Sequence, residues 1–242
     1  MKENNSIQIN KYISNTGYCS RREADELVMQ ARVMINDSIA LPSSKVNEND
    51  KVFVDDELLK RKKSEYVYIV LNKPIGVTTT TDLQDKTNVI SFMKYQKRIF
   101  PIGRLDKDSE GLLLLTDDGD IVNKILRASN QHEKEYIVQV NKNISAEFVE
   151  KMANGIPILG TTTLKCKVKK LSGKKFSICI TQGLNRQIRR MCDYLDYKVI
   201  SLYRVRIMNI HLGTLPVGKW RYLSKTEIED LKLKLTSSSK TK

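Results

Sequence analysis

Apolar positions recur at two spacings along this chain, and the change from one to the other divides it. Ile9 to Thr16 carries apolar residues at helical intervals, and Gly17 follows where a left-handed residue can end a helix. Ser20-Arg21-Arg22-Glu23 has the Ser-x-x-Glu pattern in which side chains and backbone cap each other. It predicts a second helix running to about Ala31. Val33–Asn36 and Lys51–Val54 read as strands between polar turns. Lys60-Arg61-Lys62-Lys63-Ser64-Glu65 is charged and free of apolar residues, so it marks the expected boundary between a small domain over 1–63 and a larger one over 64–242.

From Tyr66 onward short alternating or wholly apolar runs take over. Strands are predicted at 66–71, 111–116, 135–140, 165–170, 176–181 and 198–206, and helices at 119–127, 145–154, 185–195 and 224–235. Ser145 is placed to cap the helix at 145–154 and Gly155 to stop it. Strands joined by long connections with inserted helices predict an α+β domain on a mixed or antiparallel sheet. There is no internal repeat, and the tail from Thr236 to Lys242 is polar and expected to fray.

Composition sharpens this picture in two ways. The chain has 242 residues, 40% of them hydrophobic, enough for one large domain or a medium and a small one. Its 42 Lys and Arg against 28 Asp and Glu leave a formal charge of +14. Such a surplus points to a polyanionic partner, because each phosphate neutralised by Lys or Arg releases a condensed counterion. Residues 1–63 hold 11 basic and 10 acidic side chains, so nearly all the surplus lies in the larger domain. The segment 160–206 alone has 12 basic residues against Asp193 and Asp196.

Other classes recede. Met1 to Ile9 is polar and no run of about 18 apolar residues exists, so neither secretion nor a membrane span is expected, and the cytoplasm is the expected compartment. The cysteines Cys19, Cys166, Cys179 and Cys192 form no C-x-x-C pair and have only His132 and His211 to help them. No metal site is expected, and free thiols are. Cys166 and Cys179 sit in alternating strand patterns and read as small core residues. No phosphate-cradling glycine loop and no G-x-G-x-x-G follows a strand, so no nucleotide or dinucleotide cofactor is implied. Any catalysis must then use carboxylates, Tyr, Lys or Arg.

Three stretches could supply it. Gly103-Arg104-Leu105-Asp106-Lys107-Asp108-Ser109-Glu110-Gly111 is a charged loop between glycines that leads into Leu112–Leu115, a strand that must be buried. It could hold a carboxylate at the floor of a cleft. It equally reads as a solvated turn whose Asp106 accepts backbone hydrogen bonds, and spacing does not exclude Asp108, Asp117 or Asp118. Next, Asn185-Arg186-Gln187-Ile188-Arg189-Arg190 opens a helix with three arginines around an apolar stripe of Ile188, Cys192 and Leu195. Arg189 and Arg190 would flank that stripe, one leaning into a cleft and one toward solvent. Last, Lys134-Glu135-Tyr136 begins a strand on which Tyr136, Val138 and Val140 share the core face, where an ordinary half-buried tyrosine would look the same.

Together, and in this order, Gly103–Asp106 with its leucine strand, Lys134–Tyr136 and Asn185–Arg190 resemble three motifs of the RNA pseudouridine synthases. Leu71-Asn72-Lys73-Pro74-Ile75-Gly76 resembles the opening strand and turn of that catalytic domain. Gly17–Ala24 resembles the small RNA-binding domain named after ribosomal protein S4. The branch is the one named after the small-subunit ribosomal uridine synthase A and its large-subunit relatives B, E and F. Asn123–Ala128, His132–Tyr136, Gly155–Thr161 and Arg206–Asn209 look most like the F type. The F type can carry a long basic tail, whereas this chain stops soon after the helix at 224–235.

The resemblance implies isomerisation of a uridine in structured RNA without a cofactor. The target implied is a stem-loop of large-subunit rRNA, with a tRNA anticodon uridine as a second. It casts Asp106 as nucleophile or proton acceptor, Arg189 as the arginine paired with it, and Tyr136 as the residue that stacks on the base and helps remove the carbon-5 proton. Arg104 is expected to hold the loop or a phosphate. Arg21, Arg22, Lys73, Arg186 and Arg190, with Lys165, Lys167 and Lys169 on one strand face, are the expected RNA contacts. Neither DNA nor a membrane is an expected partner, and a monomer is the default. Two other readings stay on the table: a non-catalytic, ribosome-associated RNA-binding protein, and an RNA methyltransferase, for which the glycine loop of a nucleoside cofactor is missing.

Overall fold

The structure, a computed structural model, describes residues 6–60, 66–127, 130–236 and 238. The start of the polar N-terminus, most of the expected linker and most of the polar tail lie outside the described residues. The chain forms two compact units, Met1–Tyr66 and Val67–Lys242.

In the first unit β1 (Ile7–Gln8) leads into α1 (Ile9–Thr16), which Gly17 ends at φ 88°. Then α2 (Arg21–Met29) begins with a full capping box: the Glu23 amide donates to Ser20 Oγ at 3.1 Å and the Ser20 amide to Glu23 Oε2 at 2.6 Å. The strands that follow are β2 (Val33–Ile35), β3 (Ser38–Ile39), β4 (Lys45–Val46), β5 (Val52–Val54) and β6 (Glu57–Leu58). They form a four-stranded sheet in the order β3-β2-β5-β6, while β4 pairs with β1. Ile9, Ile13, Ala24, Val28, Val33, Val52 and Val54 close the core between helices and sheet.

The second unit runs β7 (Tyr68–Lys73), α3 (Val89–Met93), β8 (Phe100–Ile102), β9 (Glu110–Thr116), α4 (Gly119–Leu126), β10 (Lys134–Val140), α5 (Ala146–Asn154), β11 (Pro157–Ile158) and β12 (Thr161–Thr162). It continues through β13 (Lys167–Lys170), β14 (Lys175–Ile180), α6 (Gln187–Tyr194), β15 (Val199–Ile207), β16 (Ile210–His211), β17 (Trp220–Tyr222) and α7 (Lys225–Lys234). Its sheet has the order β13-β14-β10-β15-β9-β7-β17, with β16 on β15 and β8 on β9. Among these pairs only β9 with β15 is parallel. An α+β fold on a mixed sheet is thus what the chain adopts.

β7 and all of β9 beyond its first residue are buried, which is why their sequences read as continuous apolar runs rather than alternating ones. Ile121 and Ile125 of α4 and Leu231 of α7 cover Val70, Leu112 and Leu114. Val89 and Met93 of α3 pack on Ile69, Leu71, Leu113 and Leu115. Around β10 and β14 the core is one-sided: Phe148 and Met152 of α5 and Ile188, Met191 and Cys192 of α6 pack on Tyr136, Val138, Phe176 and Ile178. That helix layer puts the start of α6 beside the charged loop that precedes β9. Ser145 caps α5 through the Phe148 amide at 3.0 Å.

Candidate active site

The charged loop leaves β8 at Gly103, φ 77°, and enters β9 past Gly111, φ 106°, both in the half of backbone space that glycine occupies freely. Gly111 is also where β15 comes closest: a Cβ there would lie 2.4 Å from the Arg204 carbonyl oxygen. Between the glycines the loop is pinned at several points. Thr79 Oγ1 donates to the Leu105 carbonyl at 2.7 Å, the Gly76 amide to the Lys107 carbonyl at 2.8 Å, and the Ser109 amide to the Asp106 carbonyl at 3.0 Å. Leu105 is buried in the core formed with α5 and α6. Asp106 therefore sits on a held backbone while its side chain stays 34% exposed.

Asp106 lines a cavity of about 640 Å³ together with Tyr136, Lys134, Arg186, Arg189 and Arg204. A second cavity of about 430 Å³ meets it at Arg104, Leu105, Asp106 and Arg186. The first is within the size range of small-molecule sites. The three motifs, distant in sequence, converge on it.

The cations are arranged differently from the expectation. Arg186, at φ 49°, stands at the start of α6 in the left-handed region, which costs a non-glycine residue about 1–2 kcal/mol. From there its guanidinium grips both carboxylate oxygens of Asp108, at 3.1 and 3.0 Å, and its Nη1 lies 3.5 Å from Asp106 Oδ2. Arg189, expected opposite Asp106, instead donates through Nη2 to the Asp108 carbonyl at 2.8 Å and to Ser109 Oγ at 3.1 Å. The physical reason is reach: Arg189 is buried under the loop and holds its backbone, while half-exposed Arg186 extends over its carboxylates. The Arg186 guanidinium holds the Asp108 carboxyl below its ordinary range. Arg190 points to solvent and bonds back to Asn185, so of the pair flanking the stripe Arg189 is the one in the cleft.

Tyr136 is buried, and its hydroxyl accepts from Arg204 Nη1 at 3.4 Å. Arg204, absent from the expected site, is almost fully buried, with Nε donating to the Leu112 carbonyl at 2.7 Å. A β-bulge explains its orientation. Register shifts between Glu135 and Tyr136, so Arg206 pairs with Glu135 on one sheet face and Arg204 with Tyr136 on the other. Strict alternation would have put the two arginines on the same face. Lys134 lines the same cavity, and burial together with nearby Arg204 pushes its ammonium down to about 8.

Two groups of expected RNA contacts lie elsewhere. Lys73 is fully buried; its ammonium donates to the Pro74 and Val77 carbonyls, both at 2.9 Å, and burial followed by Arg204 pushes it down to about 8. It ends a strand covered on both faces and does not reach a phosphate as placed. Lys167 pairs across the sheet with Cys179 and through it with Glu135, whereas Tyr136 pairs with Ile178. Lys167 and Lys169 thus occupy the face away from the cavity, where Lys167 joins Glu133, Arg206 and Glu135 in an ion-pair chain. Cys179 sits on that outer face, half-buried beside Arg206, rather than in the core. Lys165 is exposed just ahead of β13, Arg104 is exposed at the mouth of the cavity, and Arg21 and Arg22 are exposed on the first turn of α2.

Comparison with known proteins fits this geometry. A family model described as RNA pseudouridylate synthase matches residues 67–194, and one described as S4 domain matches residues 9–52. The dual-specificity RNA pseudouridine synthase RluF of Escherichia coli K12 is 50% identical over all of this chain and 84% of its own length. Its Salmonella typhi counterpart is 52% identical over the same shares. An uncharacterized RNA pseudouridine synthase of Aquifex aeolicus is 32% identical over 93% of this chain and 96% of its own. A crystal structure of a pseudouridylate synthase superposes with a TM-score of 0.68 at 29% identity, covering 93% of this chain and all of that one.

Proposed function

The chain belongs to the RNA pseudouridine synthase family, and on that premise we propose that it isomerises a specific uridine in folded RNA with Asp106 as the group acting on the ribose. The observation that carries this reading is the convergence of Asp106, Tyr136 and Arg189 on one cavity, with Asp106 on a loop tied down on both sides of it.

The uridine must leave its stack to enter such a cavity, at a cost of a few kcal/mol. Stacking on the Tyr136 ring returns about 1–3 kcal/mol of that. In the reaction the bond between C1′ and N1 breaks, and its electron pair stays with the base. Asp106 either bonds to C1′ or takes a proton from C2′. The base turns and C5 joins C1′ as the Asp106–C1′ bond breaks or as Asp106 returns its proton to C2′. The C5 proton then leaves to a water that Tyr136 orients, and N1 gains a proton. Product and substrate are isomers, so the chemistry needs no redox partner, no donated group and no cofactor. Arg186 Nη1 lies 3.5 Å from Asp106 Oδ2 and sets a positive charge beside the reacting group. Arg189 holds the loop backbone in place, and Arg204 Nη1 lies 3.4 Å from the Tyr136 hydroxyl.

The RNA proposed is a stem-loop of large-subunit rRNA, with a tRNA anticodon uridine as second target. The dual specificity in the names of the relatives that share half of this sequence supports two substrates. Arg104, Arg190, Lys165 and, in the first unit, Arg21 and Arg22 remain the proposed phosphate contacts, since all are exposed. Mapping pseudouridine in total RNA with and without this gene is the test. A site in large-subunit rRNA that disappears with the gene supports the proposal, and identical maps overturn it.

A further inference from the structure

Most buried or half-buried arginines of the second unit face a carboxylate: Arg206 has Glu133 and Glu135, Arg221 has Glu227, and Arg189 has Asp108. Arg204 and Lys134 do not. Among the described residues no carboxylate oxygen lies within 4.0 Å of either, although they are only 3% and 8% exposed. Arg204 spends Nε and Nη1 on the Leu112 and Arg104 carbonyls and the Tyr136 hydroxyl, and its buried Nη2 has no partner. The hydrogen bond of Lys134 goes to the His132 carbonyl at 3.4 Å, the long end of the range. Two buried, under-partnered cations side by side repel each other, and each would be cheaper as an apolar residue. They share the cavity wall with Tyr136, put there by the bulge in the β10–β15 pairing.

Resting on the function proposed above, we propose that Arg204 and Lys134 form a uracilate subsite, two cationic donors that take up the negative charge on the base once it is detached from the ribose. When the C1′–N1 bond breaks, its electron pair delocalises over N1, O2 and O4 of the base. These atoms only accept, and Arg204 and Lys134 only donate. The charge exists after cleavage and vanishes when C5 bonds to C1′ and loses its proton while N1 gains one. Donors fixed in a buried site ahead of that charge stabilise it without reorganising. Both routes open to Asp106 pass through the same detached base, so the subsite serves either.

The test uses the full chain and large-subunit rRNA transcribed with uridine or with 5-fluorouridine, under single turnover. The carbon-linked nucleoside is separated by liquid chromatography and identified by mass spectrometry after digestion; the product from 5-fluorouridine keeps its fluorine, because C5 has no proton to lose. Fluorine makes the base a better anion, so it should depend less on the cations. Lys134→Met is expected to slow uridine conversion about 10²-fold, the scale of losing one such donor. On 5-fluorouridine the loss should shrink to roughly tenfold, with RNA affinity nearly unchanged. Lys134→Arg should restore most of the rate. Arg204→Lys, which keeps the charge and guards against misfolding of Arg204→Met, should show the same shrinkage. Equal losses on the two RNAs, or a loss confined to RNA affinity as for a phosphate contact, overturn the subsite. If the wild-type protein converts no uridine at all, the proposed function fails instead.

Discussion

Replacing Gly111 by alanine tests whether the approach of β15 to β9 is what sets the loop and Arg204 in place. The added Cβ would stand 2.4 Å from the Arg204 carbonyl oxygen and 2.7 Å from its nitrogen, both backbone atoms that cannot swing away. The position also has φ 106°, where an L residue is strained by about 1–3 kcal/mol. Overpacking adds another 1–3 kcal/mol, so the whole change should cost about 3 kcal/mol. For a unit of this size each kcal/mol lowers Tm by about 2–4 °C, which predicts a fall of about 6–12 °C in the transition of the second unit. Gly213→Ala is the control: φ is +60° there, but nothing lies within 4 Å of the new methyl group. It should cost only about 1 kcal/mol. Differential scanning calorimetry of both variants, with isomerase assays beside it, reads the difference. Similar small shifts for the two variants would refute the claim that close approach, rather than backbone freedom alone, requires Gly111.

Other outcomes follow from the same geometry. Lys73 has a folded-state pKa of about 8, below that of an unfolded lysine. Between about pH 8 and 10.5 the unfolded chain therefore holds the extra proton at this site, so Lys73 makes a contribution to stability that grows with pH; in urea titrations the stability of the wild-type protein relative to Lys73→Met should rise across that window. Asp108→Asn should cost under about 1 kcal/mol, because its pair with Arg186 is half-exposed. With about 5 phosphate contacts, the log–log salt dependence of RNA binding should have a slope near −4. Arg104→Gln should reduce that slope by about 1, whereas Lys167→Gln and Lys169→Gln should leave it almost unchanged, because these lysines face away from the cavity.

Much of the fold could be read along the chain because local signals and tertiary structure agree. Gly17 and the Ser20 capping box end and start helices where their chemistry demands, and the leucines of β9 are apolar without alternation because both faces are covered. β8 and β17, three residues each, were too short to carry a period and exist through pairing with β9 and β7. The site divided in the same manner. Asp106, Tyr136 and the arginines of α6 stand in recognisable motifs, so their meeting in one cavity was legible. Which arginine reaches which carboxylate was not, since it depends on the left-handed turn at Arg186. Arg204 was hidden because a single bulge overrides the two-residue alternation that places side chains on sheet faces. A lysine at a strand end reads as exposed, and nothing along the chain signals that the Pro74 and Val77 carbonyls close over Lys73.

The central claim is that Asp106 carries out the chemistry on a uridine held against Tyr136, and tritium release from large-subunit rRNA labelled at uridine C5 tests it most directly. Asp106→Asn keeps the size of the side chain and removes its charge and nucleophilicity. The account predicts release by the wild-type protein, none above background by the variant, and RNA affinity within a few-fold for both. Tritium release by Asp106→Asn at the wild-type rate would contradict it.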